Sequence, residues 1–237
     1  QIVTSARAVQ MLSQFFVDTD FSNRTITIKE GDTLSLGKHT LQFIMAPMVH
    51  WPEVIFVYDE LERVLFSADA FGSFGVKDNN EWINEARRYY FGIVGKYGYQ
   101  VQEVLKKIRD LKIEYICSLH GGVLNKNINY YLDLYDLWSK YNYEEDGVVI
   151  NYCSIYGNTK KAVYILKELL EHQGVNNVIV NDLARCDLYK AVSDSFRYSK
   201  MILASPTYNH EVFPNMRYLI NALIDRNYQN RVIGFIE

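Results

Sequence analysis

The 237-residue sequence predicts an α/β protein built in two parts. Residues 1–142 run as short alternating strands followed by helices, the pattern of a sheet layer covered by helices. After residue 147, continuous apolar strands alternate strictly with amphipathic helices, the pattern of a parallel doubly wound sheet. Between them lies a polar stretch, Tyr143-Glu144-Glu145-Asp146-Gly147, which reads as a hinge. The expected domains are therefore 1–143 and 147–237.

The chain is expected to open directly in a helix. Thr4 or Ser5 can cap it, and Ala8, Met11, Leu12 and Phe15 recur at helical spacing. Strands are predicted at 24–29, 33–36, 40–45, 54–58 and 64–67, with Gly31-Asp32, Gly37-Lys38 and Asp59-Glu60 as turns. Helices are predicted at 81–94, 101–111 and 127–141, with a strand at 115–119. In the second part strands fall at 148–152, 177–181, 201–205 and 232–236, and helices at 160–172, 188–198 and 215–224. The first residue is not Met, and the last strand reads as a central one with nothing after it. Each domain is thus expected to be incomplete, the first at its N-terminal side and the second at its C-terminal side.

Composition narrows the function. Hydrophobic residues make up 49% and charged residues 22%, which suits a packed core and excludes a disordered chain. A net charge of −3 without a basic stripe excludes nucleic acid and anionic membrane as partners. No apolar run nears the roughly 20 residues of a membrane span, and no signal peptide is visible. Cys117, Cys153 and Cys186 are too few and scattered for a disulfide frame, and no CxxC pair exists for a zinc ribbon or rubredoxin-type site. The expected location is a reducing cytoplasm.

Two loops suggest a phosphate-bearing cofactor. Ser154-Ile155-Tyr156-Gly157-Asn158-Thr159 lies between a buried strand and a helix, where free backbone N–H groups and the helix dipole can hold a phosphate. Neither a Walker lysine nor GxGxxG is present. Taken alone, this loop fits a capped helix start in an ordinary α/β domain equally well. A second loop, Ser205-Pro206-Thr207-Tyr208-Asn209, follows the third strand at the same carboxyl edge, where doubly wound sheets bind ligands. It offers an aromatic and several backbone amides to a flat ring.

Three further residues sit at strand ends in apolar runs closed by Gly or Pro. They are His50 in Pro47-Met48-Val49-His50-Trp51-Pro52, Asp69 in Phe66-Ser67-Ala68-Asp69-Ala70-Phe71-Gly72, and His120 in Ser118-Leu119-His120-Gly121-Gly122. Imidazoles and a carboxylate so placed can converge on a metal cluster, and a carboxylate can bridge two metals. An unpaired carboxylate among Phe66, Ala68, Ala70 and Phe71 would be costly to bury. His39, His172 and His210 lack this context and are assigned to a turn, a helix surface and the ring loop, without a role.

These motifs together resemble the flavodiiron proteins. SxYGNT, SPTYN and Phe213-Pro214 resemble their FMN domain, and HWPE, FSADAFGSFG and His120-Gly121 resemble their metal loops in family order. The 18 residues between His50 and Asp69 match as well, as do Glu85-Ala86-Arg87-Arg88-Tyr89-Tyr90 and Gly95-Lys96-Tyr97. The resemblance implies a metallo-β-lactamase-like αββα sandwich followed by a flavodoxin-like sheet. It implies FMN, with Ser154 to Thr159 on its phosphate and Pro206, Thr207, Tyr208 and Asn209 near its ring. It implies two iron ions, His50 and His120 binding one each and Asp69 bridging them. The activity implied is reduction of O2 to water, of NO to N2O, or of both. Electrons would come from a rubredoxin or flavin reductase, and the assembly would be a head-to-tail homodimer or tetramer.

Three departures stand out. The family's HxExDH ligand motif and its third flavin loop are absent from this sequence. The stretch from Asp69 to His120 is roughly ten residues shorter than the family norm, near 76–80. His120 is followed by Gly-Gly where relatives have Gly-Pro, and Gly122 should loosen that turn. Two other readings remain open: a zinc hydrolase of the metallo-β-lactamase class, and an FMN electron carrier with a non-catalytic first domain.

Overall fold

A computed structural model describes residues 1–75 and 79–237. The chain forms two compact units, Gln1–Lys140 and Tyr141–Glu237.

The first unit opens in a strand, not a helix. Strand β1 (Ile2–Ser5) pairs in parallel with β2 (Thr25–Ile28), and helix α1 (Ala6–Phe15) lies between them. The correction has a local cause: Ile2, Val3 and Thr4 are all β-branched and favour extended backbone. Ser5 then caps α1, its Oγ accepting the Ala8 N–H at 3.1 Å. Strands β3 (Thr33–Ser35), β4 (Thr40–Met45), β5 (Ile55–Asp59) and β6 (Val64–Phe66) follow. Helices α2 (Asn79–Tyr89) and α3 (Gly98–Ile108), strand β7 (Tyr115–Cys117) and helix α4 (Ile128–Ser139) complete the unit. The main sheet has the order β3-β4-β5-β6-β7, antiparallel up to β6 and parallel between β6 and β7.

The helix predicted at 81–94 changes character at its end. After Tyr89 the chain makes a π-helical turn, Tyr90–Val94, and then a 3₁₀ turn, Gly95–Tyr97. Tyr90 and Phe91 are thereby buried, their rings 5.3 and 6.1 Å from Trp138 of α4. Buried aromatic pairs of this kind weld helix to helix. The sequence-predicted deletion near 76–80 falls partly outside the described residues.

The second unit contains β8 (Glu145–Tyr152), α5 (Asn158–His172), β9 (Val178–Asp182), α6 (Leu188–Arg197) and β10 (Tyr198–Ala204). A small hairpin, β11 (Thr207–Tyr208) and β12 (Glu211–Val212), precedes α7 (Pro214–Ile224) and β13 (Val232–Ile236). The sheet is parallel throughout, in the order β13-β10-β8-β9. Counted along the chain this is 2-1-3-4, the doubly wound order that flavodoxin-type sheets share. Val148, Ile150, Tyr152, Val163, Val178 and Ala204 form its core.

The expected hinge is shorter than its polarity suggests, because Glu145 and Asp146 belong to β8. Arg197 at the end of α6 binds the Glu145 carboxylate at 2.5 Å and Lys200 of β10 binds Asp146 at 2.5 Å, so both charges are matched within the second unit. Among the described residues, no helix is long and apolar enough to cross a membrane.

Candidate functional site

His50, Asp69 and His120 come together at the loop ends of the first unit's sheet. Asp69 is the centre: its Oδ2 lies 3.3 Å from His50 Nε2, and its Oδ1 lies 3.3 Å from His120 Nε2. Each imidazole faces its own carboxylate oxygen. No three His, Cys, Asp or Glu side chains among the described residues close around a single metal position. The Asp69 and His50 side chains are 16% and 26% exposed and that of His120 57%, so the site opens on the His120 side.

A fourth group joins them that residue types and spacing alone did not single out. Tyr89 Oη donates to Asp69 Oδ1 at 3.3 Å, and its ring centroid lies 5.5 Å from that of His120. Burial, followed by the Asp69 charge, pushes the Tyr89 phenol well above its ordinary range, so it remains a donor. The available signal was the Arg87-Arg88-Tyr89-Tyr90 motif, but the two tyrosines point differently. Tyr89 reaches the carboxylate, whereas Tyr90 is fully buried among aromatics.

The loops carry left-handed backbone beside these residues. Ala68 (φ 50°) and Phe71 (φ 63°) bracket Asp69, and Gly121 (φ 93°) follows His120. The Asp69 loop is closed by Ala70 N–H to Ser67 O at 3.0 Å and by Gly72 N–H to Asp69 O at 3.2 Å. It braces the His120 loop through Leu119 N–H to Ala68 O at 2.7 Å and Ser73 N–H to His120 O at 3.3 Å. Glycine is required at 121, where a Cβ would stand 2.4 Å from Ser73 Oγ, whereas at Gly122 it would meet nothing within 4 Å. His39, by contrast, is paired at 2.7 Å with Asp59, the last residue of β5.

The donor set suits a bridged metal pair. Two nitrogen donors on opposite oxygens of one carboxylate are what a bridging carboxylate with one imidazole per metal requires. Three donors still leave most coordination positions of two metals to be filled by other groups.

In the second unit the two expected flavin loops lie at the ends of neighbouring strands, β8 and β10. Gly157 (φ 88°) turns the chain into α5. Ser154 Oγ accepts the Gly157 N–H at 3.1 Å and the Lys160 N–H at 3.3 Å. Tyr156 is 91% exposed. Beside the second loop runs a groove of about 440 Å³ whose walls include Pro206, Thr207, His210, Met216 and Phe235. Tyr208 and Asn209 are not free loop residues. Asn209 (φ 56°) and His210 (φ 61°) form the two-residue turn of the β11–β12 hairpin, and the Tyr208 ring packs 5.5 Å from Phe213. The groove walls do not include Ser154 to Thr159. Burial pushes the neighbouring Cys153 thiol up to about 11, which leaves it protonated at neutral pH.

Fold and site together define a metallo-β-lactamase-like unit joined to a doubly wound α/β unit. A family model described as "ODP family beta lactamase" matches residues 1–121, and the chain belongs to that family. An uncharacterized protein of Methanocaldococcus jannaschii is 28% identical over 222 residues, covering 91% of this chain and 56% of the relative. The anaerobic nitric oxide reductase flavorubredoxin of Salmonella arizonae is 28% identical over 221 residues, covering 86% and 45%. Among solved structures, rubredoxin oxygen:oxidoreductase from Desulfovibrio gigas superposes with a TM-score of 0.88 at 25% identity, covering 99% of this chain and 60% of the other. The flavodiiron protein from Giardia intestinalis superposes with a TM-score of 0.90 at 22% identity, covering 98% and 59%, a likeness of fold. The chain is thus of flavodiiron type and spans about half to three fifths of these relatives' lengths.

Proposed function

We propose that this chain belongs to a flavodiiron oxidoreductase that reduces O2 to water, NO to N2O, or both. The observation that carries this reading is the Asp69 carboxylate with one imidazole on each oxygen. A bound ferrous pair would supply electrons for reducing O2 or NO, and FMN would supply single electrons to it. Asp69 would hold both metals, and His50 and His120 one each. Tyr89 would steady the Asp69 carboxylate through its hydrogen bond to Oδ1, with its ring beside that of His120. The exposed side of His120 is the way in for a small molecule.

FMN would sit at the carboxyl edge of the second unit, its phosphate on Ser154, Ile155, Tyr156, Gly157, Asn158 and Thr159. Its ring would lie by Pro206, Thr207, Tyr208 and Asn209. The Salmonella and Desulfovibrio relatives, a nitric oxide reductase flavorubredoxin and a rubredoxin oxygen:oxidoreductase by name, support both the gases and a rubredoxin-type donor. A flavin reductase is the other donor class. Because metal and flavin residues lie on separate units, a head-to-tail homodimer would bring the flavin of one protomer to the metals of its partner. Mixed dimers of a flavin-dead and an iron-dead chain then recover one working site.

The deciding experiment is iron, zinc and FMN content of the full-length gene product, purified without oxygen. About two iron ions and about one FMN per chain are expected. Zinc without flavin would replace the proposal by a hydrolase, and FMN without metal by an electron carrier.

A further inference from the structure

Helix α4 contributes none of the proposed ligands, yet one of its side chains reaches the loop that carries Asp69. Tyr135 Oη accepts the Phe71 N–H at 2.5 Å, and the two ring centroids lie 4.2 Å apart. Both residues are buried, at 1% and 2% exposure, so the bond has no water to replace it. Phe71 stands at φ 63°, a left-handed conformation that a bulky aromatic rarely holds unless its surroundings impose it.

The other ties of this loop run elsewhere. Ser67 Oγ to Ala70 O at 2.7 Å and Gly72 N–H to Asp69 O at 3.2 Å close the loop on itself. Ser67 N–H to Cys117 O at 3.1 Å and the bonds to Leu119 and His120 connect it to the β7 side. Tyr135 holds it from α4, at the strained residue two positions beyond Asp69. Tyr135 is itself set in place by Tyr90 and Trp138, with ring centroids at 5.0 and 5.6 Å, and by Ser139 Oγ on its carbonyl at 2.5 Å.

We propose that Tyr135 is a positioning residue for the metal site: its hydroxyl holds the Phe71 N–H, and through that strained residue it sets the orientation of the Asp69 carboxylate between His50 and His120. The inference rests on the metal reading given above. It concerns the hydroxyl and not the ring, because phenylalanine at 135 would keep the stacking and leave the Phe71 N–H buried without its acceptor. Relaxation of Phe71 toward negative φ would then turn the backbone that carries Asp69, and the two imidazoles would no longer face both oxygens squarely.

The test uses the full-length protein, wild type and Tyr135→Phe, titrated without oxygen with cobalt(II) as a spectroscopic probe. Cobalt affinity should fall about tenfold, as for other outer groups that orient ligands, and the visible cobalt bands should shift, while FMN content stays unchanged. Hydrogen exchange at the Phe71 amide of the metal-free protein should quicken at least about tenfold. Faster Phe71 exchange with cobalt affinity and bands like wild type would show a merely structural role and overturn the proposal. If Tyr135→Phe does not fold, 3-fluorotyrosine at 135 weakens the hydroxyl as an acceptor without removing it; affinity must then fall in the same direction, and an unchanged value overturns the proposal equally. Wild-type protein that takes up no cobalt sinks the metal reading itself and this inference with it, an outcome distinct from a variant that binds like wild type.

Discussion

Two adjacent glycines should respond oppositely to the same substitution. Gly121→Ala places a Cβ 2.4 Å from Ser73 Oγ and 3.2 Å from Ser73 N, on a residue at φ +93°. The left-handed backbone costs an L-residue about 1–2 kcal/mol. Ser73 is buried, at 5% exposure, and its amide holds the His120 carbonyl, so it cannot swing aside freely. Forcing it to move costs about 1–3 kcal/mol more, as overpacking does. The sum, about 2–5 kcal/mol, would lower Tm by roughly 8–20 °C at roughly 4 °C per kcal/mol for a unit of this size. Gly122→Ala meets nothing within 4 Å and needs no positive φ. It should gain about 0.4–1 kcal/mol by restricting the unfolded chain, raising Tm by roughly 2–4 °C. Differential scanning calorimetry of both variants checks this, with cobalt titration to follow His120. Two variants moving Tm in the same direction would refute the account of the turn, including the expectation that Gly122 loosens it.

Three further outcomes follow. Asp69→Asn removes one anionic bridge oxygen while keeping shape, so the full-length protein should retain less than about one metal per chain with its Tm nearly unchanged; undiminished metal content would exclude a bridging role. Ser154→Ala deletes the acceptor of the Gly157 and Lys160 amides, and FMN affinity by fluorescence quenching should drop roughly tenfold, the worth of about one hydrogen bond; equal affinity would move the phosphate elsewhere. At Asp182, burial opposes the charge, but the Ala184 N–H, the Arg185 guanidinium and the Tyr152 hydroxyl outweigh it and hold the carboxyl below its ordinary value. A lowered folded value means stability present above the ordinary carboxylate range and lost as pH falls through the folded one, below about pH 4. Asp182→Asn should therefore flatten the acid limb of the second unit's unfolding curve, and an unaltered limb would show the pairing to be inconsequential.

Much of the fold was legible because its signals are local. Apolar runs and period-3.6 stretches put the strands and helices of the second unit within a few residues of where they lie. Errors arose where local chemistry was decided at a distance. Glu145 and Asp146 read as hinge because their charges are polar in sequence, yet Arg197 and Lys200, more than fifty residues on, make them strand. Tyr208 and Asn209 read as open loop, and only pairing with Glu211 and Val212 makes them a hairpin.

The sequence by itself determined that His50, Asp69 and His120 lie at strand ends, since each sits where an apolar run stops at Gly or Pro, and it placed two ligand-capable loops at one edge of a parallel sheet. Only the tertiary structure decided that the two imidazoles divide the Asp69 oxygens between them, that Tyr89 and not Tyr90 joins them, and that Tyr135 of α4 bonds the loop at Phe71. A hydrogen bond between residues 64 positions apart depends on how a helix is rotated against a sheet. That rotation is set by the summed packing of Tyr90, Phe91, Tyr135 and Trp138, which no short stretch of the chain encodes.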